Sequence, residues 1–335
     1  RGRTTYQAFD DQIAESTCDY LHRKSKKINK RPFAAVAGFV LPHCPFFAPN
    51  DLFDYYFKQV DVPQMTVKDL AREPDAIRKF KLLRGLNVPL SEERIRIARA
   101  AYFGLCEYLD KAIGKVLNKL EETGLNRNTL VIYCSDHGEM AGEHGCWWKS
   151  NYYEASVGVP LIVTLPGVVP ERKTIPTVCN LMDLGPTIVE MAGGIPMPET
   201  DGRSLWTIIT GNTAPKNPDE TFSELLGNLD TVPSRMIRKG PWKLYKYHDT
   251  TSPVLYNLKD DPDENTDLGT DPRYEDIRSQ LLDRLYKGWN PEYVLEESSL
   301  LSQDMHLITQ WGKAIQPSHT DTLPIPYGAE DVEIL

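Results

Sequence analysis

Three observations predict an α/β fold with a central sheet flanked by helices and a smaller antiparallel sheet beside a helix near the C-terminus. Residues 33–41, 129–134 and 160–165 are nearly unbroken apolar runs, the pattern of strands covered on both faces. Residues 91–124, between the first two runs, repeat apolar side chains at helical spacing. Beyond about residue 216, short alternating runs are separated by turn residues, as in an antiparallel sheet. The chain is therefore expected to divide into a core over 1–215 and a C-terminal α+β subdomain over 216–335.

The elements follow in order. Residues 6–25 read as a helix with Phe9, Ile13, Thr17, Tyr20 and Leu21 on its apolar side. Residues 24–30 form a basic connector, expected as a solvated loop. The strand over 33–41 ends in Pro42-His43. Residues 45–75 mix prolines and aromatics without a clean period and read as an irregular excursion. The next helix is the best marked: Ser91 caps it, Glu92 and Glu93 suit its positive end and Gly124 stops it. Its stripe is Ile95, Ala98, Tyr102, Leu105, Leu109, Ile113, Val116 and Leu120. A short helix is expected over 182–192, ended by Gly193-Gly194. Strands follow over 234–238, 242–247 and 254–258, then a helix over 273–287. The tail beyond Trp289 is expected to wrap over the domain or a neighbouring subunit.

Composition limits the partners. The chain has 335 residues, 41% hydrophobic and 25% charged, with a net charge of −9 and no long block of like charge. That balance argues against nucleic acid or an anionic membrane as the main partner. No apolar stretch approaches the roughly 18 residues of a membrane-spanning helix. The six cysteines (Cys18, Cys44, Cys106, Cys134, Cys146 and Cys179) form no spaced framework, so reduced thiols and a cytoplasmic setting are expected.

The chemistry concentrates in Val131-Ile-Tyr-Cys-Ser-Asp136-His137-Gly138, followed by a glycine-rich loop with His144 and then by Trp147-Trp148-Lys149. A strand ending in Asp136 and His137 delivers a carboxylate and an imidazole to a sheet edge, where open α/β sheets bind ligands. Aspartate with neutral histidine suits a divalent cation, and a nearby ammonium suits an anionic substrate. Taken alone, Asp-His-Gly is also an ordinary strand-to-loop turn.

The longer pattern resembles the sulfatase branch of the alkaline phosphatase superfamily. The resemblance rests on Ser135-Asp136-His137-Gly138, Lys149, Tyr153-Glu154-Ala-Ser156 and Val159-Pro160-Leu-Ile. It extends to Leu41-Pro42-His43-Cys-Pro45, Asn180-Leu-Met-Asp183, Asp201-Gly-Arg-Ser-Leu205, residues 236–245 and Leu255-Tyr256 through Glu264. Asp-His in place of Asp-Asn leans towards choline-sulfatase and phosphonate monoester hydrolase relatives. Gly158 departs from the pattern, since arginine often stands there, and a structural salt bridge is expected to be missing. The resemblance implies an alkaline-phosphatase-like central sheet and hydrolysis of a small anionic sulfate ester, aryl- or choline-sulfatase-like. The alternatives are a phosphonate monoester or diester substrate on the same fold, or an inactive, binding-only chain.

The resemblance also implies roles. Asp136 and His137 would hold one divalent cation (Ca²⁺, Mg²⁺ or Mn²⁺), Lys149 would bind the ester oxygens, and His43 would protonate the leaving alkoxide. His144 is either a substrate contact or a group orienting a ligand. Trp148, with Trp147, is either an aromatic wall for a quaternary ammonium or core packing. The family nucleophile is a formylglycine made from a Cys/Ser-x-Pro/Ala-x-Arg motif, which none of the six cysteines begins. No Asp-Asp pair follows an opening strand either. The chain is accordingly expected to be the C-terminal two-thirds of such a protein and inactive alone. A homo-oligomer is left open.

Overall fold

The computed structural model describes residues 1–26, 31–63, 73–212, 219–226 and 232–316, and the backbone of 331–332. A short strand β1 (Gly2–Arg3) pairs antiparallel with β10 (Asp331–Val332). Helix α1 (Thr5–Lys26) is longer than the sequence implies, and its buried side differs: Gln7, Ala8, Asp10, Ala14 and Leu21 face inward while Phe9 is exposed. The two buried polar groups have tertiary partners. Gln7 donates to the Phe47 carbonyl (2.6 Å), and the Asp10 carboxylate accepts the N–H groups of Val40 and Leu41 (2.8 and 2.9 Å).

Residues 31–40 correct the first expected strand. They carry no strand pairing, and Val36 is 97% exposed. A strand is defined by a neighbour on its ladder, and no described strand lies beside this one; Asp10 holds only its last residues. Of the basic connector, residues 27–30 lie outside the described residues. The excursion over 45–75 is partly regular: α2 (Asn50–Phe57) begins after Pro49, and α3 (Asp75–Leu83) after Pro74. Residues 64–72 of that span lie outside the described residues.

Helix α4 (Glu92–Glu122) matches the sequence signals. The Ser91 hydroxyl accepts the Arg94 N–H, and Gly124 sits at φ 70°, where glycine ends a helix without a Cβ clash. Its buried line includes Ala100, Ala101, Leu105 and Leu109, packed with Leu41, Ala48, Phe53 and Val60. Strand β2 (Val131–Cys134) leads to the Asp-His-Gly turn, followed by β3 (Met140–Ala141), β4 (Trp147–Trp148), α5 (Glu154–Val157) and β5 (Leu161–Thr164). Strands β2 and β5 pair antiparallel, with Cys134 opposite Leu161, and β3 pairs with β4. Both β2 and β5 were expected buried; they are half-exposed, with Ile162 at 60%. The cause matches that at 31–40, since no described layer covers their outer face.

The expected helix over 182–192 is a 3₁₀ turn (Leu181–Asp183) running into α6 (Leu184–Met191), with Asn180 and Asp183 forming a reciprocal cap. A single turn, α7 (Trp206–Ile209), follows. The C-terminal sheet has order β6-β7-β8-β9, built from Glu220–Leu225, Ser234–Lys239, Trp242–Tyr247 and Val254–Asn257, all antiparallel. Side-chain alternation splits its faces. Ile237, Leu244 and Leu255 meet Leu281 and Leu285 of α8 (Glu275–Tyr286), whereas Met236, Tyr245, Tyr247 and Tyr256 meet Tyr152 and Tyr153 of the core. The tail beyond Trp289 begins with α9 (Pro291–Ile315), capped by Asn290, which buries only Pro291 and exposes Leu301, Ile308 and Trp311, while residues 331–332 of the tail pair with β1.

Candidate active site

The structure brings together two of the expected site residues that are far apart in sequence. The Lys149 ammonium donates to His43 Nε2 at 2.9 Å. On the other side of the ring, His43 Nδ1 lies 2.6 Å from the Cys44 carbonyl. A carbonyl only accepts, so Nδ1 carries the proton and Nε2 offers its lone pair to Lys149. Tyr6 packs edge-on against the ring at 6.1 Å. Prolines on both sides, Pro42 and Pro45, follow cis peptide bonds. Lys149 is set between two non-glycine residues in left-handed conformation, Trp148 (φ 68°) and Ser150 (φ 75°), a backbone state that surrounding structure must enforce.

Asp136 and His137 form the second pair, at the tip of β2. The Asp136 side chain is 86% exposed, and its Oδ2 is 3.6 Å from His137 Nε2. His137 Nδ1 faces the Gly138 carbonyl at 2.8 Å, so it is the protonated nitrogen and Nε2 is free to ligate. The turn is held from behind: Gly138 donates to the Ser156 carbonyl (2.8 Å), and a Cβ at Gly138 would stand 2.1 Å from the Ala155 carbonyl oxygen. Only glycine fits against α5 there. A carboxylate beside an imidazole with a free Nε2 fits two ligands of a hard-to-borderline divalent cation. Among the described residues no third His, Cys, Asp or Glu completes a cluster with them.

The glycine loop is pinned by side chains remote in sequence. The buried Arg99 guanidinium of α4 donates to the Ala141 carbonyl (2.8 Å) and Glu143 (2.5 Å), and reaches Asp61 (2.9 Å). His144 stacks flat on Tyr153, with ring centroids 3.9 Å apart, and its Nε2 meets the Asp263 carbonyl at 2.9 Å. Burial holds the His144 imidazole below its ordinary value. Its contacts thus go to α5 and the C-terminal loop, not to His43 or Lys149. Trp147 is buried against Gly142, and Trp148 is half-buried opposite Met140.

Sequence reasoning did not single out Glu139. Its half-buried carboxyl is pushed up to about 7 by burial, with the Lys149 ammonium and the Trp148 backbone N–H acting to lower it. One carboxyl oxygen, Oε1, is buried without a hydrogen-bond partner. The only sequence signal was an acidic residue directly after Gly138.

The structure also accounts for Gly158. A Cβ there would stand 2.6 Å from the Glu154 carbonyl oxygen. The Glu154 carboxylate takes its cations from the C-terminal sheet instead, Arg238 at 2.7 Å and Lys243 at 3.0 Å. Lys243 is fully buried and also pairs with Glu264, whose carboxylate accepts the Glu154 N–H at 2.6 Å.

Comparison with known proteins identifies the family. Residues 2–195 match the sulfatase family, and residues 142–290 match the C-terminal region of the N-sulphoglucosamine sulphohydrolase family. The chain is 32% identical over 282 residues to a choline-sulfatase of Rhizobium meliloti (strain 1021), covering 81% of this chain and 53% of that protein. It is 31% identical over 262 residues to arylsulfatase K of Mus musculus, covering 72% and 47%. The phosphonate monoester hydrolase of Silicibacter pomeroyi shares the fold, with a TM-score of 0.70 at 24% identity over 83% of this chain and 60% of that one. The chain spans about half the length of the curated relatives it matches. With a family match over more than half of its residues, and with relatives of that similarity, the chain belongs to the sulfatase family.

Proposed function

We propose that the protein hydrolyses a small anionic sulfate ester, with this chain supplying two cation ligands and the lysine–histidine pair that handles the ester oxygens. The observation that carries the proposal is the 2.9 Å contact between Lys149 Nζ and His43 Nε2. It places an ammonium and an imidazole side by side, as needed to bind an oxyanion and deliver a proton to a leaving oxygen. In this arrangement His43 is neutral and its Nε2 is an acceptor. The proton for the leaving alkoxide therefore starts on Lys149, or on His43 after the ring has taken one up. Asp136 would bind a divalent cation through carboxylate oxygen and His137 through Nε2. Such a cation would neutralise charge on the non-bridging oxygens and lower the pKa of an attacking hydroxyl. The nucleophile expected for the family, a formylglycine, would come from a motif that none of the six cysteines begins, so residues 1–335 alone are expected to be inactive.

Phosphonate monoester hydrolysis is the second reading. It is favoured by Asp136-His137 standing where other members carry Asp-Asn. The test compares kcat/KM on aryl sulfate and aryl phosphonate esters in the protein carrying this chain, as wild type and as Lys149→Ala. Loss of turnover by orders of magnitude in the variant is expected, and near-normal kcat would remove Lys149 from the chemistry. Metal-dependent turnover by residues 1–335 alone would overturn the reading that the nucleophile lies elsewhere.

A further inference from the structure

We infer that Arg99 is a positioning residue: from α4 it fixes the hairpin of β3 and β4 so that Lys149, the next residue, meets His43. Strands β3 and β4 make a two-stranded sheet of two residues each, too little to hold itself in water. The hairpin takes its place from what it leans on. The Arg99 guanidinium donates to the Ala141 carbonyl (2.8 Å) and to Glu143 (2.5 Å), and the same Glu143 carboxylate accepts the Ala141 N–H (2.7 Å). One ion pair thus engages both backbone polar groups of Ala141, which stands opposite Trp147 in the hairpin. One turn earlier on α4, Ile95 lies against the same loop: a Cβ at Gly142, where φ is 106°, would be 3.3 Å from its Cγ2.

The same helix supports the other partner. Leu41, two residues before His43, lies in one apolar cluster with Ala100, Ala101 and Leu105 of α4. Helix α4 is therefore the common frame of the histidine and the lysine, through packing at Leu41 and through Arg99 at the hairpin. A lysine at position 99 would not serve. The flat guanidinium fork reaches the Ala141 carbonyl and Glu143 through one nitrogen and Asp61 (2.9 Å) through the other, whereas an ammonium is a single point of charge.

The task of Lys149 rests on the hydrolase reading, but the first test needs no turnover. The His43 Nε2 signal of the 335-residue chain, made with isotope-labelled histidine, is followed by nitrogen NMR at about pH 8.5, above the ordinary imidazole range. In Arg99→Met it is expected to move most of the way to its position in Lys149→Ala, while the His22 and His306 signals stay in place. The carboxylates left behind, Asp61 and Glu143, are 82% and 36% exposed, so water takes up their charges and the fold survives. Glu143→Ala leaves Arg99 paired with Asp61; it should move the His43 signal the same way by a smaller amount, and it decides the question if Arg99→Met does not fold. Arg96→Met is the control, because Arg96 donates to the Val60 carbonyl (2.6 Å) and should leave the His43 signal unmoved. In the protein carrying this chain, kcat/KM on an aryl sulfate should fall about a hundredfold in Arg99→Met, the scale of a misplacement of roughly 1 Å. It should fall no further when Arg99→Met is added to Lys149→Ala. An unmoved His43 signal in folded Arg99→Met would overturn the assignment, as would full additivity of the two substitutions. A moved His43 signal in a protein that hydrolyses no ester would leave Arg99 as the support of Lys149 and remove the hydrolase reading.

Discussion

Replacing Lys243 with methionine is expected to destabilise the chain by about 3 kcal/mol near neutral pH, the lower end for removing one partner of a buried ion pair. The Lys243 side chain is completely buried, and it neutralises both Glu154 and Glu264. After its loss Glu154 keeps Arg238 and remains one-third exposed, which limits its share. Glu264 is 3% exposed and is left with only the Glu154 N–H. The Glu264 carboxyl is already held above its ordinary value by burial, while Lys243 and that N–H draw it down. At this group the folded protein therefore binds a proton more tightly than the unfolded chain, and acidification favours the fold. Without the ammonium the carboxyl moves further up, so the deficit should be largest at about pH 7 and shrink towards about pH 5. Urea unfolding at the two pH values measures it. Combining Lys243→Met with Glu264→Leu should recover much of the loss, because replacing both members of a buried pair is often close to neutral. A Lys243→Met variant within about 0.5 kcal/mol of wild type at pH 7, below the usual range for such sites, would refute the argument.

Three other outcomes follow from the geometry. Gly138→Ala should destabilise by at least about 1–3 kcal/mol, the range for overpacking, and should disturb the Asp136–His137 turn, read by urea unfolding and by the His137 NMR signals. Asp10→Ala leaves the Val40 and Leu41 N–H groups without their acceptor; a loss of about 2–4 kcal/mol is expected, together with faster hydrogen exchange at those two amides. Asp136→Asn should weaken Mn²⁺ binding, measured by calorimetry, by at least about tenfold, since a charged oxygen ligand becomes neutral; unchanged affinity would place the cation elsewhere.

The parts of the fold legible in the sequence were those that local signals decide. Helix α4 was readable because Ser91 and Gly124 punctuate it, and β8 because Trp242–Tyr247 alternates between two buried faces. Where tertiary partners decide, the reading failed. The inward side of α1 is set by Gln7 and Asp10, polar residues whose burial depends on acceptors and donors some 30–40 positions away. Residues 31–40 have strand composition without a ladder neighbour. Pro49 and Pro74 read in the sequence as marks of irregularity, yet each stands just before a helix, where a missing N–H removes no helical hydrogen bond. The start of α9 at Asn290-Pro291 carries a local signal, an asparagine cap followed by proline in the first turn. At the site, the Asp136–His137 pair was local and visible. The meeting of His43 with Lys149 could be anticipated only through family resemblance. Glu139 carried no distinguishing signal, because its significance lies in what surrounds it once folded.

The bare segment over 31–39 has a colloidal consequence. Its row of amides and carbonyls, set among apolar side chains such as the almost fully exposed Val36, is a template on which another extended peptide can zip. When the 335-residue chain is handled by itself, precipitation should thus begin at this rim. A proline or lysine introduced near Val36 should keep it in solution better than raising the overall net charge would.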